Sequence, residues 1–416
     1  MSRHKEQLYA GVDVGTTKIA TVVARVASAG MEVVALGHAP SQGMHKGVVV
    51  DAAALTDAVR GSVSEAAAAL GGRLPPAYVS VTGAHVSSVN AAASIIRTSP
   101  SGRPRAFTQA DTDEVVAASV PEMDRSRVLL HAVPRRFDVD GAGTVHDPVG
   151  RCGGTLAVET HVVSGDRGAV ADLAGAVSSA GVKVRGMVPE HLASASAVLS
   201  ADELDRGVVL ADVGGGTTAI ALFENRAVRH TSTIGVGGEQ FTSDLAMGLG
   251  VPPEVAERVK LAFGATDGER NEARLEVAGV SEGGSQLVSR RRTHELLHDR
   301  SVELVRLILH RVREAASDRM PAGGLVLTGG ASKLAVLAKA AAEYGRFPVR
   351  VGAPSSALRL PAELEEGSFS TAIGLLLWAV RHQRAGTART AAAALREWRR
   401  RLAGGLHLRR PQGAPA

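Results

Sequence analysis

The sequence VVLADVGGGTTAIAL, residues 208–222, has a near copy in AGVDVGTTKIATVV, residues 10–23. In each copy an apolar run ends in Asp-Val-Gly, passes through two threonines and enters a second apolar run, which predicts a β-hairpin with a glycine turn. Glycine lets the backbone approach a ligand closely, and successive turn amides can form a concave anion site. A single glycine turn often only connects strands, but the repeat favours two loops that clamp a phosphate chain from both sides.

The end of each first strand carries a carboxylate. Asp13 and Asp212 stand directly before the two turns, where a carboxylate can hold the water shell of Mg²⁺. Threonine hydroxyls add further donors to both turns. We therefore expect Asp13 and Asp212 to form a magnesium site through bound water.

A third glycine element follows in GGLVLTGGASKLAVL, residues 323–337. It predicts a buried strand, a Gly-Gly turn and a helix capped by Ser332, an arrangement that suits a nucleotide base and ribose. Upstream, PEVAERVKLAFG (253–264) predicts a helix in which Glu257 and Lys260 share a face. Taken alone, that pair is equally compatible with an ordinary surface ion pair.

Composition narrows the functional classes. The chain has 416 residues, of which 45% are hydrophobic, and 47 glycines, which predicts a globular protein with more than one domain. Aromatic residues make up only 3%, which argues against a stacking surface for single-stranded nucleic acid. The net charge is +5, but residues 381–416 contain nine Arg and one Glu. The positive charge is therefore concentrated in a tail, and we expect no nucleic-acid partner.

The cellular setting can also be predicted. The single cysteine, Cys152, excludes an internal disulfide and fits a reducing cytoplasm. We expect no signal peptide before the first strand. The longest apolar stretch, TAIGLLLWAV, has about half of the ~20 residues that a spanning helix needs.

Seven motifs follow one another along the chain: GVDVGTTK (11–18), GVVVDAAAL (47–55), MVPEHLASASAVL (187–199), ADVGGGTTAIALF (211–223), ERVK (257–260), VLTGGASKL (326–334) and STAIGLLLW (370–378). In this order they resemble the actin/heat-shock-70 ATPase superfamily. A narrower resemblance is carried by residues 133–165, with VPRRFDVDG and DPVGRCGGTLAVETHVVSG, and by VRVGAPSS (349–356). Over about residues 8–380 the chain resembles most closely the FtsA family of bacterial cell-division proteins.

The resemblance implies an α/β, actin-like two-lobed ATPase fold with duplicated ribonuclease-H-like lobes, a small α+β insertion of the SHS2 type and a C-terminal amphipathic helix. Lobe 1 would comprise residues 1–83 and 161–190, with a closing helix at 370–381. Lobe 2 would comprise 191–225 and 301–369. The remaining parts would be an α+β interaction insertion (84–160), a second insertion on the base side that faces FtsZ (226–300), a linker (382–390) and a basic membrane-targeting helix (391–410). Within the first insertion, Thr108 is predicted to cap a helix.

The resemblance also implies roles for single residues. Glu190 would position the water that attacks the γ-phosphate, although on its residue type it could equally be a carboxylate that favours a helix start. Lys18 would offer a point charge to the phosphates, and Asp13 and Asp212 would complete the catalytic set. The expected phosphate cradle is Gly15, Thr16, Thr17, Gly214, Gly215, Gly216, Thr217 and Thr218. The expected base and ribose site is Glu257, Lys260, Gly329, Gly330 and Ala331.

A rival motif is HELLH, residues 294–298, which fits the H-E-x-x-H pattern of zinc proteases. On a helix, His294 and His298 would share a face, and Glu303 or Glu314 could supply the third ligand that zinc needs. The surrounding leucines favour a long core helix instead. In addition, the rest of the chain is typical of an ATPase and not of a zinc protease.

The tail resembles a lipid-binding helix. In AAAALREWRRRLAGGLHLRRP, which begins at Ala391, an apolar side faces a basic side at 100° per residue. The residues predicted to contact anionic lipid are Leu395, Arg396, Trp398, Arg399, Arg400, Arg401 and Leu402. A basic tail of irregular structure, or a helix that binds a protein groove, is the alternative.

The resemblance to the FtsA family, together with these features, implies an ATP- and Mg²⁺-binding adaptor, with at most slow ATPase activity, at the cytoplasmic side of the inner membrane and the division septum. The expected partners are FtsZ, further copies of the chain, later division proteins and anionic lipid. A pilus-assembly actin homologue of the PilM type is the first alternative, and a soluble actin-fold kinase is the second.

Overall fold

The structure is a computed structural model. It describes residues 7–27, 30–98, 103–264, 274–278, 285–315, 320–355 and 360–384. The predicted lipid-binding helix, residues 391–410, lies outside the described residues. Within the described ranges, no helix combines the length and the apolar character that crossing a bilayer requires. Cys152 is exposed as a free thiol.

The first half of the chain contains lobe 1 and, inside it, an insertion. Lobe 1 begins with β1 (Gln7–Val14), β2 (Lys18–Ala27), β3 (Gly30–Pro40), β4 (Met44–His45), β5 (Val48–Val49), α1 (Ala52–Leu70) and β6 (Ala77–Val81). The insertion contains β7 (Ser87–Ile96), β8 (Arg105–Ala106), α2 (Gln109–Ser119), β9 (Arg127–Val139), β10 (Thr144–Val145), β11 (Cys152–Gly153) and β12 (Thr155–Asp166). The chain returns to lobe 1 through α3 (Arg167–Ser179), β13 (Val184–Pro189) and α4 (Glu190–Val198).

The second half builds lobe 2 and ends on a long helix. Its elements are α5 (Ala201–Arg206), β14 (Val208–Val213), β15 (Thr218–Glu224), β16 (Ala227–Ile234), α6 (Gly238–Leu249), α7 (Pro253–Gly264), β17 (Arg274–Ala278), β18 (Ser285–Ser289), α8 (Arg290–Ala315), β19 (Leu325–Thr328), α9 (Ala335–Gly345), β20 (Val349–Val351) and α10 (Ser370–Arg384).

The two lobes have the same sheet topology. The strand order is β13-β6-β1-β2-β3 in lobe 1 and β20-β19-β14-β15-β16 in lobe 2. In each sheet three consecutive strands are antiparallel, and the first of them pairs in parallel with a later strand. This confirms the predicted duplicated α/β lobes and explains the repeated hairpin, since β1–β2 and β14–β15 are equivalent. Strand β16 extends the second sheet beyond residue 225, where the predicted lobe 2 segment ended.

Two helices join the lobes. Helix α10 packs on β1, β2 and β6 of lobe 1, α4 packs on β14 and β15 of lobe 2, and the two helices pack against each other. A continuous buried cluster includes Val12 and Val79 of lobe 1, Leu192 on α4, Leu376 on α10 and Leu210 of lobe 2. Because this core is shared, the helix pair restricts how the lobes can move relative to each other.

The insertion has its own sheet and core. Its strand order is β10-β9-β12-β7, with α2 packed against the sheet. The predicted cap is confirmed, since the hydroxyl of Thr108 accepts from Asp111 N and the Asp111 carboxylate accepts from Thr108 N. Arg97 and Arg105 also bind that carboxylate, and the hydrogen bonds from Arg105 above all, together with those from Thr108, hold the pKa of Asp111 far below its usual range.

Two buried histidines lie where the insertion, α4 and lobe 2 meet. His161 and His191 are each 1% exposed. Burial, helped by the nearby His230, lowers the pKa of both imidazoles to about 3. Both rings are therefore neutral in the folded protein at neutral pH.

The first prediction concerns pH. The folded pKa of these histidines lies below the unfolded value of about 6.5, so the unfolded chain binds more protons between about pH 6.5 and 3. Their contribution to stability is therefore complete above about pH 6.5 and is lost as the pH falls, by up to about 1.4 kcal/mol per pH unit for each ring. The measurement is urea unfolding at pH 7.0 and 5.5 for the wild type and His161→Gln.

The difference between the two proteins is the informative quantity, because the buried carboxylates described below have raised pKa values and act in the opposite direction. We expect a smaller loss of unfolding free energy at pH 5.5 in His161→Gln. Equal losses would show that His161 does not titrate as the structure requires.

Candidate nucleotide-binding site

The two glycine–threonine hairpins have identical register. Asp13 pairs with Ala20 across the first hairpin, and Asp212 pairs with Ala219 across the second. Both carboxylates therefore stand at the same position, one residue before the end of the inner strand of each sheet. The carboxyl ends of such strands are where open α/β sheets bind ligands.

The turns of the two hairpins also correspond residue by residue. In the first turn Gly15 N donates to Lys18 O at 3.0 Å, and in the second Gly214 N donates to Thr217 O at 2.9 Å. Lys18 and Thr217 thus occupy equivalent positions. The middle of the turn is Thr16-Thr17 in one lobe and Gly215-Gly216 in the other.

The threonines of one turn contact the glycines of the other. A Cβ placed on Gly215 would lie 2.4 Å from the side chain of Thr17, and one on Gly216 would lie 2.8 Å from that of Thr16. No side chain larger than hydrogen fits at either glycine without displacing the threonine side chain of the opposite turn. The two hairpins therefore meet across the gap between the lobes, as a two-sided clamp requires.

The hydroxyls of the second hairpin have other partners or little exposure. Thr217 and Thr218 are both buried, and Thr218 Oγ1 donates to Val236 O at 2.7 Å. Any phosphate held by this loop would consequently be bound mainly by backbone amides of the glycine run.

Three carboxylates gather beside the turns. Ser80 Oγ donates to Asp13 Oδ1 at 2.9 Å, and Thr371 Oγ1 donates to Asp212 Oδ2 at 3.0 Å. Glu190 begins α4, and its buried Oε2 has no hydrogen-bond partner among the described residues. An unpartnered buried carboxylate oxygen is costly, so this corner of the site is suited to a cation or to water.

The pKa values of all three carboxyl groups are raised. Desolvation raises the pKa of Asp13, Asp212 and Glu190, and repulsion between the carboxylates raises the pKa of Asp212 and Glu190 further. For Asp212 the pKa reaches about 7. The hydrogen bonds from Ser80 and Thr371 only partly oppose these shifts. A cation bound beside these carboxyl groups would lower their pKa values and favour the ionised carboxylates.

Lys18 is the nearest cation of the first hairpin. Its Nζ donates to Ser368 O at 2.7 Å and lies 3.4 Å from the centre of the Phe369 ring. Burial lowers the pKa of Lys18, and the charge of Asp13 opposes that shift. The amine is thus held beside the carboxylates by the segment that leads into α10.

The third glycine turn lies against the second hairpin. Gly329 has φ of 87°, and a Cβ on it would lie 2.4 Å from Asp212 Oδ1. The predicted helix cap at Ser332 is wrong, because Gly330–Lys333 form a 3₁₀ turn and α9 starts only at Ala335. Ser332 Oγ instead donates back to Gly329 O at 2.7 Å, which stabilises the turn.

The predicted base-binding pair faces the same turn. Lys260 Nζ lies 2.6 Å from Glu257 Oε2, 2.8 Å from Thr242 Oγ1 and 3.1 Å from Gly238 O. A Cβ on Gly238 would in turn lie 3.5 Å from Ala331 Cβ, so α6, α7 and the third turn converge. The ammonium of Lys260 is buried with three acceptors, whereas 44% of the Glu257 side chain is exposed. Glu257 is therefore the more accessible of the two to a ligand.

Comparisons with known proteins identify the family. The family model for cell division protein FtsA matches residues 209–374, and the model for the SHS2 domain inserted in FtsA matches residues 83–164. Cell division protein FtsA of Pseudomonas aeruginosa is 32% identical over 384 residues, which are 91% of both chains. The FtsA protein of Escherichia coli K12 is 31% identical over 89% of this chain and 90% of its own.

The chain belongs to the FtsA family. The resemblance drawn from the motifs is thereby confirmed.

Solved structures confirm the actin-like fold. The PilM–PilN type IV pilus biogenesis complex matches with a TM-score of 0.63 at 18% identity, over 89% of this chain and 98% of the other. MreB5 of Spiroplasma citri bound to AMPPNP matches with a TM-score of 0.55 at 13% identity, over 91% and 98%. At such identities the likeness concerns the fold alone.

Sequence reasoning missed several residues of this FtsA-family site. Ser80, Thr371, Ser368 and Phe369 contact Asp13, Asp212 or Lys18 from segments distant in the chain. Thr371 lies in one of the motifs that carry the superfamily resemblance, and that was the only signal for it. Ser80 lies in a short buried strand with no local pattern.

The HELLH segment does not gather a metal site. Arg291 and Arg292 bind Glu295, each at 3.2 Å, and the rings of His294 and His298 stand 6.5 Å apart. The two proposed third ligands, Glu303 and Glu314, are paired with Arg300 and Arg311. In the part of the chain that the structure describes, no three His, Cys, Asp or Glu side chains are placed to hold a metal ion.

Adjacent glycines of the third turn give the second prediction. Gly329→Ala should destabilise the protein by about 1–3 kcal/mol, because the new methyl group would meet Asp212 and the backbone at Val213 in a left-handed conformation. Gly330→Ala is the matched control, since its Cβ would meet no atom within 4 Å apart from those of its neighbours in the chain. Chemical unfolding of both variants measures the difference. Equal unfolding free energies would contradict the placement of Gly329 against Asp212.

Proposed function

We propose that this FtsA-family protein is an ATP-binding cytoskeletal adaptor. It assembles with further copies at the septum, tethers FtsZ filaments to the inner face of the cytoplasmic membrane and helps recruit later division proteins. The observation that carries the nucleotide part is the apposition of two equivalent hairpins beside Asp13, Asp212 and Glu190, with an unpartnered buried oxygen on Glu190.

The residues present fit a magnesium nucleotide. Asp13 and Asp212 would hold Mg²⁺ through water, and Mg²⁺ supplies charge that neutralises phosphate oxygens. The amides of Gly15–Thr17 and Gly214–Thr218 would hold the phosphates, and Lys18 would exchange Ser368 O for a phosphate oxygen. MreB5 of Spiroplasma citri, which has this fold, is described both with AMPPNP and with ADP.

The base and ribose would lie between α7 and the third turn. Glu257 is accessible there, Lys260 fixes its carboxylate, and Gly329, Gly330 and Ala331 offer backbone without bulky side chains. Glu190 would orient a water molecule toward the terminal phosphate. Hydrolysis at such a site depends on positioning and electrostatics, and we propose a slow switch between nucleotide states.

Assembly and membrane binding follow from family membership and from the tail. The insertion would contact later division proteins and neighbouring protomers, and the segment 226–300 would face FtsZ. One short basic helix binds lipid weakly, at roughly 1 kcal/mol per Arg near an anionic surface. A filament presents many tails at once, so avidity would fix it to the membrane.

The pilus-assembly alternative has one supporting observation, the fold likeness to the PilM–PilN complex. That likeness is at 18% identity, whereas the curated FtsA relatives reach 31–32% over about nine-tenths of the chain. The basic tail, which we would not expect in a PilM-type protein, favours the membrane adaptor.

The third prediction tests the nucleotide site. Lys18→Ala should weaken binding of a fluorescent ATP analogue in the presence of Mg²⁺ by about 10- to 100-fold, because a charge-assisted hydrogen bond is lost. Lys183→Ala, which removes an exposed lysine of lobe 1 outside the site, is the control and should bind like the wild type. If both variants bind as the wild type does, the hairpins do not form the phosphate site.

The fourth prediction tests the membrane role. Full-length protein should sediment with vesicles that contain anionic lipid, and Mg-ATP should increase the sedimented fraction. Protein that ends at Arg384 keeps all of α10 and should stay in the supernatant. Neutral phosphatidylcholine vesicles are the control. Equal sedimentation of the two proteins would rule out the tail as the lipid contact.

A further inference from the structure

The insertion is bonded to lobe 2 although it emerges from lobe 1. Ser88 Oγ donates to Thr231 O at 2.9 Å, Asn90 Nδ2 donates to Arg229 O at 2.9 Å, and Arg135 Nε donates to Val228 O at 2.7 Å. The three donors lie on β7 and β9 of the insertion. All three acceptors are carbonyls of β16, the outermost strand of the lobe 2 sheet, whose free edge would otherwise be unpaired.

A buried imidazole lies at the centre of this contact. His161, on β12, pairs through Nδ1 with Asn90 Oδ1 at 2.8 Å and through Nε2 with Thr231 Oγ1 at 3.0 Å. Thr231 is itself buried. Because the ring is neutral and an amide oxygen can only accept, Nδ1 donates to Asn90 within the insertion and Nε2 accepts from the hydroxyl of Thr231. This second bond forms only while lobe 2 keeps its position against the insertion.

The junction between the insertion and lobe 2 is close in sequence to the candidate nucleotide site. His191 follows Glu190 on α4, and His161, His131 and His230 are close enough for their charges to depress the pKa of His191. Its buried Nε2 has no hydrogen-bond partner within the described ranges. Successive residues at the start of α4 therefore lie at two places, Glu190 in the carboxylate cluster and His191 beside the junction with the insertion.

We propose that the insertion is a brace that fixes the angle between the lobes through its bonds to β16, and that occupancy of the nucleotide site and binding at the insertion are thereby coupled. The lobes are joined near the site by the α4–α10 pair and by the contact between the hairpin turns, and the insertion joins them again, so their angle cannot change without breaking one set of contacts. Coupling of this kind is reciprocal: a partner that shifts the insertion changes nucleotide affinity, and the nucleotide changes affinity for that partner. The coupling rests on the proposed nucleotide binding, whereas the brace does not.

The test compares two threonines that are both buried and lie on either side of the boundary. Thr231→Val removes the hydroxyl that pairs with His161. Thr160→Val, one residue before His161, removes a hydroxyl whose bond with Ser119 Oγ, at 2.8 Å, lies wholly inside the insertion. Ser88→Ala removes a single donor at the surface of the contact and serves as a milder variant should Thr231→Val fold poorly.

The first readout needs no nucleotide. Spin labels at Arg73→Cys in lobe 1 and Glu343→Cys in lobe 2, both exposed positions, report the interlobe distance by pulsed electron paramagnetic resonance in a Cys152→Ser background. Loss of one hydrogen bond should increase the population of altered lobe angles about five-fold in Thr231→Val, with a smaller increase in Ser88→Ala. Thr160→Val should match the parent. Parent-like distance distributions in both Thr231→Val and Ser88→Ala would overturn the brace.

The second readout is the affinity for a fluorescent ATP analogue with Mg²⁺. A several-fold change in Thr231→Val, with Thr160→Val unchanged, supports the coupling. An altered distance distribution without any change in affinity overturns the coupling and leaves the brace. If the wild type binds no nucleotide, the proposed function fails, but the distance measurement still decides the brace.

Discussion

The site depends on holding three carboxyl groups together in a desolvated corner between two lobes. Burial raises the pKa of all three groups, Asp13, Asp212 and Glu190, repulsion by neighbouring carboxylates raises the pKa of Asp212 and Glu190 further, and that repulsion favours opening of the corner. The contact between the two turns opposes it, together with Lys18 and the shared core around α4 and α10. A bound cation would remove the repulsion, so the same carboxylates that weaken closure of the empty site would favour closure of the filled one.

The duplicated fold could be predicted because each hairpin is a local pattern of apolar strand, glycine turn and apolar strand. An alignment of the two hairpins by residue type is wrong in one respect, because it pairs Thr-Thr with Thr-Thr. In the structure Thr16 and Thr17 are equivalent in turn position to Gly215 and Gly216, and they also contact these glycines across the gap between the lobes. The two turns are complementary rather than alike, because one supplies side chains and the other the space for them. The hydroxyl groups beside the carboxylates could not be predicted, since strand pairing and helix packing bring them there from distant segments.

The insertion shows the same division between local and distant information. Thr108 and Asp111 are three residues apart, so the helix start of α2 was predictable from the sequence. The contact of Asn90 with Arg229 joins residues 139 positions apart, and its acceptor is a backbone carbonyl that leaves no trace in the residue type. Contacts of side chains with the edge of another sheet are therefore the part of such a structure that sequence patterns predict least.

Helix α10 limits how a nucleotide could influence the tail under the proposed function. Thr371 near its start binds Asp212, the residues just before it hold Lys18, and its last described residue, Arg384, lies within the predicted linker (382–390) that leads to the basic tail. The helix has 15 residues, a length of about 22 Å, and it is packed into the core that both lobes share. A nucleotide could not release or retract the tail without breaking that core. Stronger membrane binding with nucleotide would therefore come from the number of tails that an assembly presents, not from a changed affinity of each one.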